Sequence, residues 1–294
     1  FGGDPQKGLK TLEDITPRHV EMAQKLIANN AVDIAVEETP DFIHLDLTLS
    51  AGENCCRVVV KGTHTNVVEI YINGQPQPLS EKQNTRTQRE TLPTFSLQQA
   101  YDFINRVDFN DIRFILDAAR LNSALAAEGK TKKYGLNING TFSDAVKNGL
   151  MSNDLLSKVI INTVAASDAR MGGAPVVAMS NFGSGNQGIT ATMPVVVVAE
   201  HLGADEETLA RALSLSHLTA ISIHSRYTRL SALCAASTAA MGAAAGMAWL
   251  FTRDINTINT AIINMVSDIT GMICDGASNS CAMKVSSVVS SAFK

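Results

Sequence analysis

LSALCAASTAAMGAAAGMAWLFT, residues 230–252, carries no charged side chain along its whole length. A run this long and this neutral fits either a bilayer span or a helix sealed inside a protein. Composition separates the two. The run is built mainly from Ala, Gly, Ser and Thr, with few of the Leu, Ile and Phe residues that make insertion into lipid favourable. Small side chains let neighbouring helices approach closely, so Leu230–Phe251 reads as the buried central helix of a helical core. No membrane partner is expected.

Working outward, helical spacing of apolar residues continues on both sides. Ser96 is an N-cap for Leu97–Arg106, and further helices are expected over Asn110–Ala127, Phe142–Met151, Asp154–Arg170, Pro194–Leu202, Asp205–Ile223, Ile255–Ile273 and Ala282–Phe293. The first ninety-odd residues differ. After a short helix over Pro17–Asn30 come alternating runs at Val32–Val36, Phe42–Leu47, Arg57–Val60 and Val67–Ile72, with turn residues such as Asn73-Gly74 between or after them. Alternation of period two predicts antiparallel strands. Residues 75–92 are polar and read as an exposed linker. The fold expected is therefore α+β: a small α/β portion with an antiparallel sheet over residues 1–92, followed by a predominantly α-helical domain over 93–294.

The 294 residues carry a formal charge of −4, with 45% hydrophobic and 18% charged residues, as in soluble globular proteins. A slightly acidic chain offers no footprint for a polyanion, so no nucleic-acid partner is expected. Five unevenly spaced cysteines do not form a disulfide framework, which points to a reducing, cytoplasmic setting. The chain opens at Phe1 without Met and stops inside an expected helix, so a fragment or processed chain is expected.

Three cysteines cluster downstream. Cys234 lies near the start of the Ala-rich helix, Cys274 is expected to end the helix from Ile255, and Cys281 to begin the next. A thiol at a helix N-terminus meets free N–H groups and the positive dipole end, which favours thiolate. Thiolate is what iron–sulfur clusters require. Three ligands leave one iron open, and the same logic applies to catalytic zinc. With 39 and then 6 intervening residues and no compact C-x-x-C signature, spacing alone leaves metal binding open against the reading of small buried hydrophobes.

A second candidate is Ser180–Gly188, in which Gly183, Gly185 and Gly188 allow backbone N–H groups to converge. Thr192 with Pro194 resembles a helix start. A glycine-rich lead into a helix suits an anion such as an amino-acid carboxylate, or is an ordinary tight turn. It lacks the Lys-Ser/Thr ending of a P-loop, so no nucleotide is inferred. Upstream, Arg170 in Ala169-Arg170-Met171-Gly172-Gly173 is placed to clamp a carboxylate, or to pair with Asp168 at a helix end. His217 and His224 lie seven apart and read as core or surface histidines. Arg226 and Arg229 read as a solvated helix end, and Lys284 as a neighbour of Cys281 or a surface lysine.

Together these motifs resemble the serine dehydratase α-chain-like family, most closely its L-cysteine desulfidase branch. The resemblance covers essentially the whole chain and is densest in Ala165–Gly173, Ser180–Pro194, Arg229–Gly246 and Gly271–Lys284. It implies that Cys234, Cys274 and Cys281 hold a 4Fe–4S cluster. It further implies that Ser184, Gly185, Asn186 and Gln187, with His64-Thr65-Asn66 and Arg170, line a pocket for a small amino acid. The activity implied is β-elimination, converting L-cysteine to pyruvate, ammonia and sulfide, with L-serine dehydration as the alternative. Similar proteins carry an N-terminal Gly-Cys-Thr-Glu-Pro segment whose Cys is thought to be the base. That segment does not occur here, so the base is expected upstream of Phe1, and a catalytically inactive or structural fragment is the competing expectation. The Ala-rich helices point to a homodimer.

Overall fold

The computed structural model describes residues 2–41, 43–63, 66–79, 94–227, 231–269, 271–274 and 276–294. The chain divides into two compact units, residues 1–92 and 93–294.

In the first unit a short 3₁₀ helix, Pro5–Lys10, precedes helix α1, Pro17–Ala28. Thr16 caps α1, its side chain accepting from the His19 N–H, and Pro17 occupies the first turn, where a missing N–H costs nothing. Four antiparallel strands follow in the order β1 (His44–Ala51), β2 (Asn54–Lys61), β3 (Val67–Ile72) and β4 (Gln75–Pro76). Leu47 pairs with Val58 and Val58 with Ile70, and the register slips between Val59 and Val60. Asn73 and Gly74 both have positive φ, the backbone that a two-residue hairpin turn demands, and they join β3 to β4. Arg57 on β2 bonds Asp46 on β1 at 2.6 Å and faces Glu69 on β3 at 3.6 Å. The expected strand at Val32–Val36 does not form: these residues are extended but join no ladder, and Ile34 and Val36 stay exposed. Alternation creates a strand only where a neighbour is available to complete its hydrogen bonds.

The second unit is helical: α2 (Leu97–Arg106), α3 (Phe109–Ile112), α4 (Leu116–Thr131), α5 (Ile138–Lys147), α6 (Leu155–Met171), α7 (Gly185–Leu202), α8 (Glu206–His224), α9 (Ala235–Thr252), α10 (Ile255–Asp268) and α11 (Cys281–Phe293). The run expected over Asn110–Ala127 is broken by a 3₁₀ turn at Arg113–Ile115. α5 sits four residues upstream of the expected Phe142–Met151.

Helix α9 is the central element, packed against α7, α8, α10 and α11 and buried along most of its length. Its glycines explain how. A Cβ at Gly242 would sit 2.3 Å from the Ser216 carbonyl oxygen of α8, and one at Gly246 would sit 2.9 Å from the Ala212 carbonyl oxygen. The two backbones nearly touch, as the small-residue composition predicts. Trp249 is fully buried, and the Arg253 guanidinium lies 3.7 Å from its ring centroid. Among the described residues no helix is long and apolar enough to cross a membrane.

Candidate functional site

The cysteines come first. Leu233 and Ile273 form an isolated antiparallel bridge, in which the Cys234 N–H donates to the Met272 carbonyl at 2.8 Å and the Cys274 N–H to the Ala232 carbonyl at 2.7 Å. That pairing makes Cys234 and Cys274 diagonal neighbours on one face of a two-stranded ribbon. Cys274 thus stands on this ribbon; it does not end the helix from Ile255, because α10 already stops at Asp268. Cys281 opens α11, as expected. Its sulfur lies 3.9 Å from the Gly276 carbonyl oxygen, and the Cys274 sulfur lies 3.8 Å from the same atom.

The three thiols share one electrostatic neighbourhood. Burial pushes the Cys234 thiol above its ordinary value, opposed by the Ala236 N–H and the Lys284 ammonium, while Cys274 and Cys281 push it further up. Among the described residues no three His, Cys, Asp or Glu side chains are arranged to hold a single metal ion. The sulfurs are spread over a region instead of aimed at one point, which is poor for tetrahedral zinc, where each sulfur stands ~2.3 Å from the ion.

Beside Cys281 lies Arg170, in the last turn of α6. Burial lowers its pKa and the Cys281 sulfur opposes that shift. Its Nη1 rests 2.9 Å from the Met171 sulfur, and among the described residues no carboxylate pairs with it. The alternative Asp168 contact is absent: the Asp168 carboxylate accepts from the Asn139 N–H at 2.8 Å and side-chain amide at 3.0 Å.

The glycine-rich segment is not a loop ahead of a helix beginning near Thr192. Asn181–Ser184 is a tight turn, and Ser184 caps α7, which starts at Gly185 and runs through Pro194. Ser184 accepts the Gln187 N–H on its side chain and the Gly188 N–H on its carbonyl. The Gly185 and Asn186 N–H groups have no acceptor among the described residues. Gly185 packs flat on the Arg170 side chain. One small volume thus collects a half-buried guanidinium, two free helix N–H groups and the Cys281 sulfur, a setting that suits a carboxylate. Asn186 is tied back by Ser167 at 3.2 Å.

The His64-Thr65-Asn66 motif is placed only in part. His64 and Thr65 lie outside the described residues. Asn66 is buried in the first unit, where its amide donates to the Lys61 carbonyl at 2.9 Å and braces the β2–β3 connection.

Residue-level reading missed a buried polar chain through Asn122, Asn181, Gln187, Thr192 and His217. The available signal was Gln187, Thr190 and Thr192 inside a helix with every other position apolar or small, since buried polar groups need partners. His224 also proves to be buried, with ring centroids of Phe182 and Tyr227 each 4.6 Å away.

Comparison with known proteins joins these features. A family described as "Serine dehydratase alpha chain" matches residues 6–294, a span that holds the three cysteines, Arg170 and the start of α7. The chain belongs to the serine dehydratase alpha chain family. Within reach of that family, a UPF0597 protein of Klebsiella pneumoniae subsp. pneumoniae is 98% identical over 294 residues, all of this chain and 69% of its own. UPF0597 protein YhaM of Escherichia coli K12 is 51% identical over 299 residues, and a UPF0597 protein of Chromobacterium violaceum 48% over 295, each match again covering 100% of this chain and 69% of the relative. No solved structure matches the chain. Membership in the serine dehydratase alpha chain family makes the Cys281–Arg170–Gly185 neighbourhood the natural place to look for chemistry.

Proposed function

We propose that this chain carries the cluster-holding and carboxylate-binding part of a lyase that eliminates a β-substituent from a small L-amino acid. L-cysteine is the substrate proposed first, and L-serine, which the family's description favours, is the alternative. The observation that carries the reading is the meeting of Arg170, Gly185 and Cys281 at two helix N-termini.

The residues fit an iron–sulfur cluster. Three free thiols lie close enough to raise one another's cost of ionisation, a repulsion that a polynuclear cation offsets. They are also spread apart, as ligands to separate irons must be. Cys234, Cys274 and Cys281 would hold the cluster. When bound, it would supply a Lewis acid for the departing sulfur or hydroxyl.

Everything else falls to side chains and backbone. Arg170 takes the substrate carboxylate, and the Gly185 and Asn186 N–H groups complete its hydrogen bonds. Absence of a side chain at Gly185 lets Arg170 lie against the helix end. Ser184 spends its oxygens on Gln187 and Gly188, which fixes the turn that presents those donors. A reducing, cytoplasmic setting belongs to the proposal, because five free cysteines persist most readily there.

The test is to prepare the protein anaerobically with iron and sulfide, then supply L-cysteine and L-serine separately. Pyruvate with sulfide from L-cysteine supports the first substrate, and pyruvate from L-serine alone moves the reading to dehydration. Pyruvate from neither overturns the lyase.

A further inference from the structure

The buried polar chain has one assignment of donors and acceptors, and two backbone carbonyls fix it. The His217 carbonyl oxygen can only accept, so the Asn181 side-chain atom 3.4 Å from it is the amide nitrogen. The same nitrogen lies 2.9 Å from His217 Nδ1, which must therefore accept. The ring proton is then on Nε2, 3.0 Å from Thr192 Oγ1. Thr192 can receive it, because its own hydroxyl proton goes to the Gly188 carbonyl at 2.7 Å. In the other direction, Asn181 Oδ1 faces Gln187 at 2.9 Å, so the Gln187 amide nitrogen is spent there. What is left is Gln187 Oε1, an acceptor on a fully buried side chain that has no partner among the described residues.

We propose that His217, as the neutral Nε2–H tautomer, is a positioning residue that acts through Asn181 to turn the Gln187 carbonyl oxygen toward the ammonium group of the bound amino acid. The inference rests on the amino-acid reading above. Its physical basis is charge. The first turn of α7 suits a carboxylate and repels a cation, yet an α-amino acid brings its ammonium within two bonds of that carboxylate. A neutral acceptor two residues along from Gly185 removes the conflict, and it does so only if the amide cannot rotate to present its N–H₂ face. His217 supplies that constraint. It is buried, and burial holds its pKa down to about 4, so the ring remains an acceptor at Nδ1 near neutral pH.

The experiment compares L-cysteine with 3-mercaptopropionate, which keeps the carboxylate and sulfur and lacks the ammonium. Calorimetry on the anaerobic, cluster-loaded protein should show L-cysteine bound about 10- to 100-fold more tightly. Gln187→Leu should erase that preference while leaving 3-mercaptopropionate unchanged. His217→Gln, which can both accept from Asn181 and donate to Thr192, should keep it, and His217→Phe should lose it. Nitrogen-15 spectra of the ligand-free wild type give a readout independent of folding in the variants: the proton should reside on Nε2. A proton on Nδ1, or a preference that survives Gln187→Leu, overturns the inference. Equal binding of the two compounds by wild type overturns it and leaves the lyase standing. Binding of neither overturns the amino-acid reading, and the acceptor role with it.

Discussion

The Arg170 side chain lies so close over Gly185 that a Cβ atom there would sit 2.1 Å from its Nε. Gly188, one turn along the same helix, is equally tight, but its Cβ would meet the Met179 carbonyl oxygen at 2.0 Å. The two neighbours differ in what can move. An arginine side chain swings aside, whereas a backbone carbonyl takes its segment with it.

Gly185→Ala should therefore fold and lose function. We expect a melting temperature close to wild type and a drop of about 10- to 100-fold in kcat/KM, because the displaced guanidinium no longer meets the carboxylate. Gly188→Ala should show the reverse order of damage, with stability falling by ~1–3 kcal/mol or more. Paired thermal melts and steady-state kinetics separate the two.

Helix α9 depends on the same kind of contact without chemistry attached. Gly242→Ala forces a methyl group to within 2.3 Å of the Ser216 carbonyl, so α9 and α8 must part. Denaturant unfolding should show a loss of ~1–3 kcal/mol. Larger side chains at 242 should prevent folding.

His217 gives stability a pH dependence of definite sign. Its ordinary pKa is 6.5 and burial lowers it to about 4, so the unfolded chain binds a proton in this window that the folded chain refuses. Stability is full above pH 6.5 and falls as pH drops toward 4, at up to ~1.4 kcal/mol per unit and by ~3 kcal/mol in all. Unfolding midpoints of wild type and His217→Gln, compared at pH 7 and pH 5, should diverge by that difference: the variant lacks this slope.

Much of this was legible in the chain itself. Ser96 and Val67–Ile72 gave their elements with correct bounds, since a capping box and strict alternation are local signals. The buried character of α9 followed from its small residues. Other features depend on what lies across space. α7 begins at Gly185 and not beyond Thr192, because Ser184 caps it and a buried helix tolerates the glycines and Pro194 that discourage an isolated one. Cys274 pairs with residue 232 on another segment, which no reading of the 255–273 periodicity reveals. His217 looked like filler because its partners are 25 and 36 residues away in sequence.

The central claim is that Cys234, Cys274 and Cys281 serve one cluster. Anaerobic reconstitution with iron and sulfide, read as bound iron per chain and broad visible absorption, tests it most directly. Wild type should take up close to four irons, and Cys234→Ala, Cys274→Ala and Cys281→Ala should each lower both signals, while Cys55→Ala and Cys56→Ala leave them intact. Undiminished iron and absorption in all three downstream variants would contradict it.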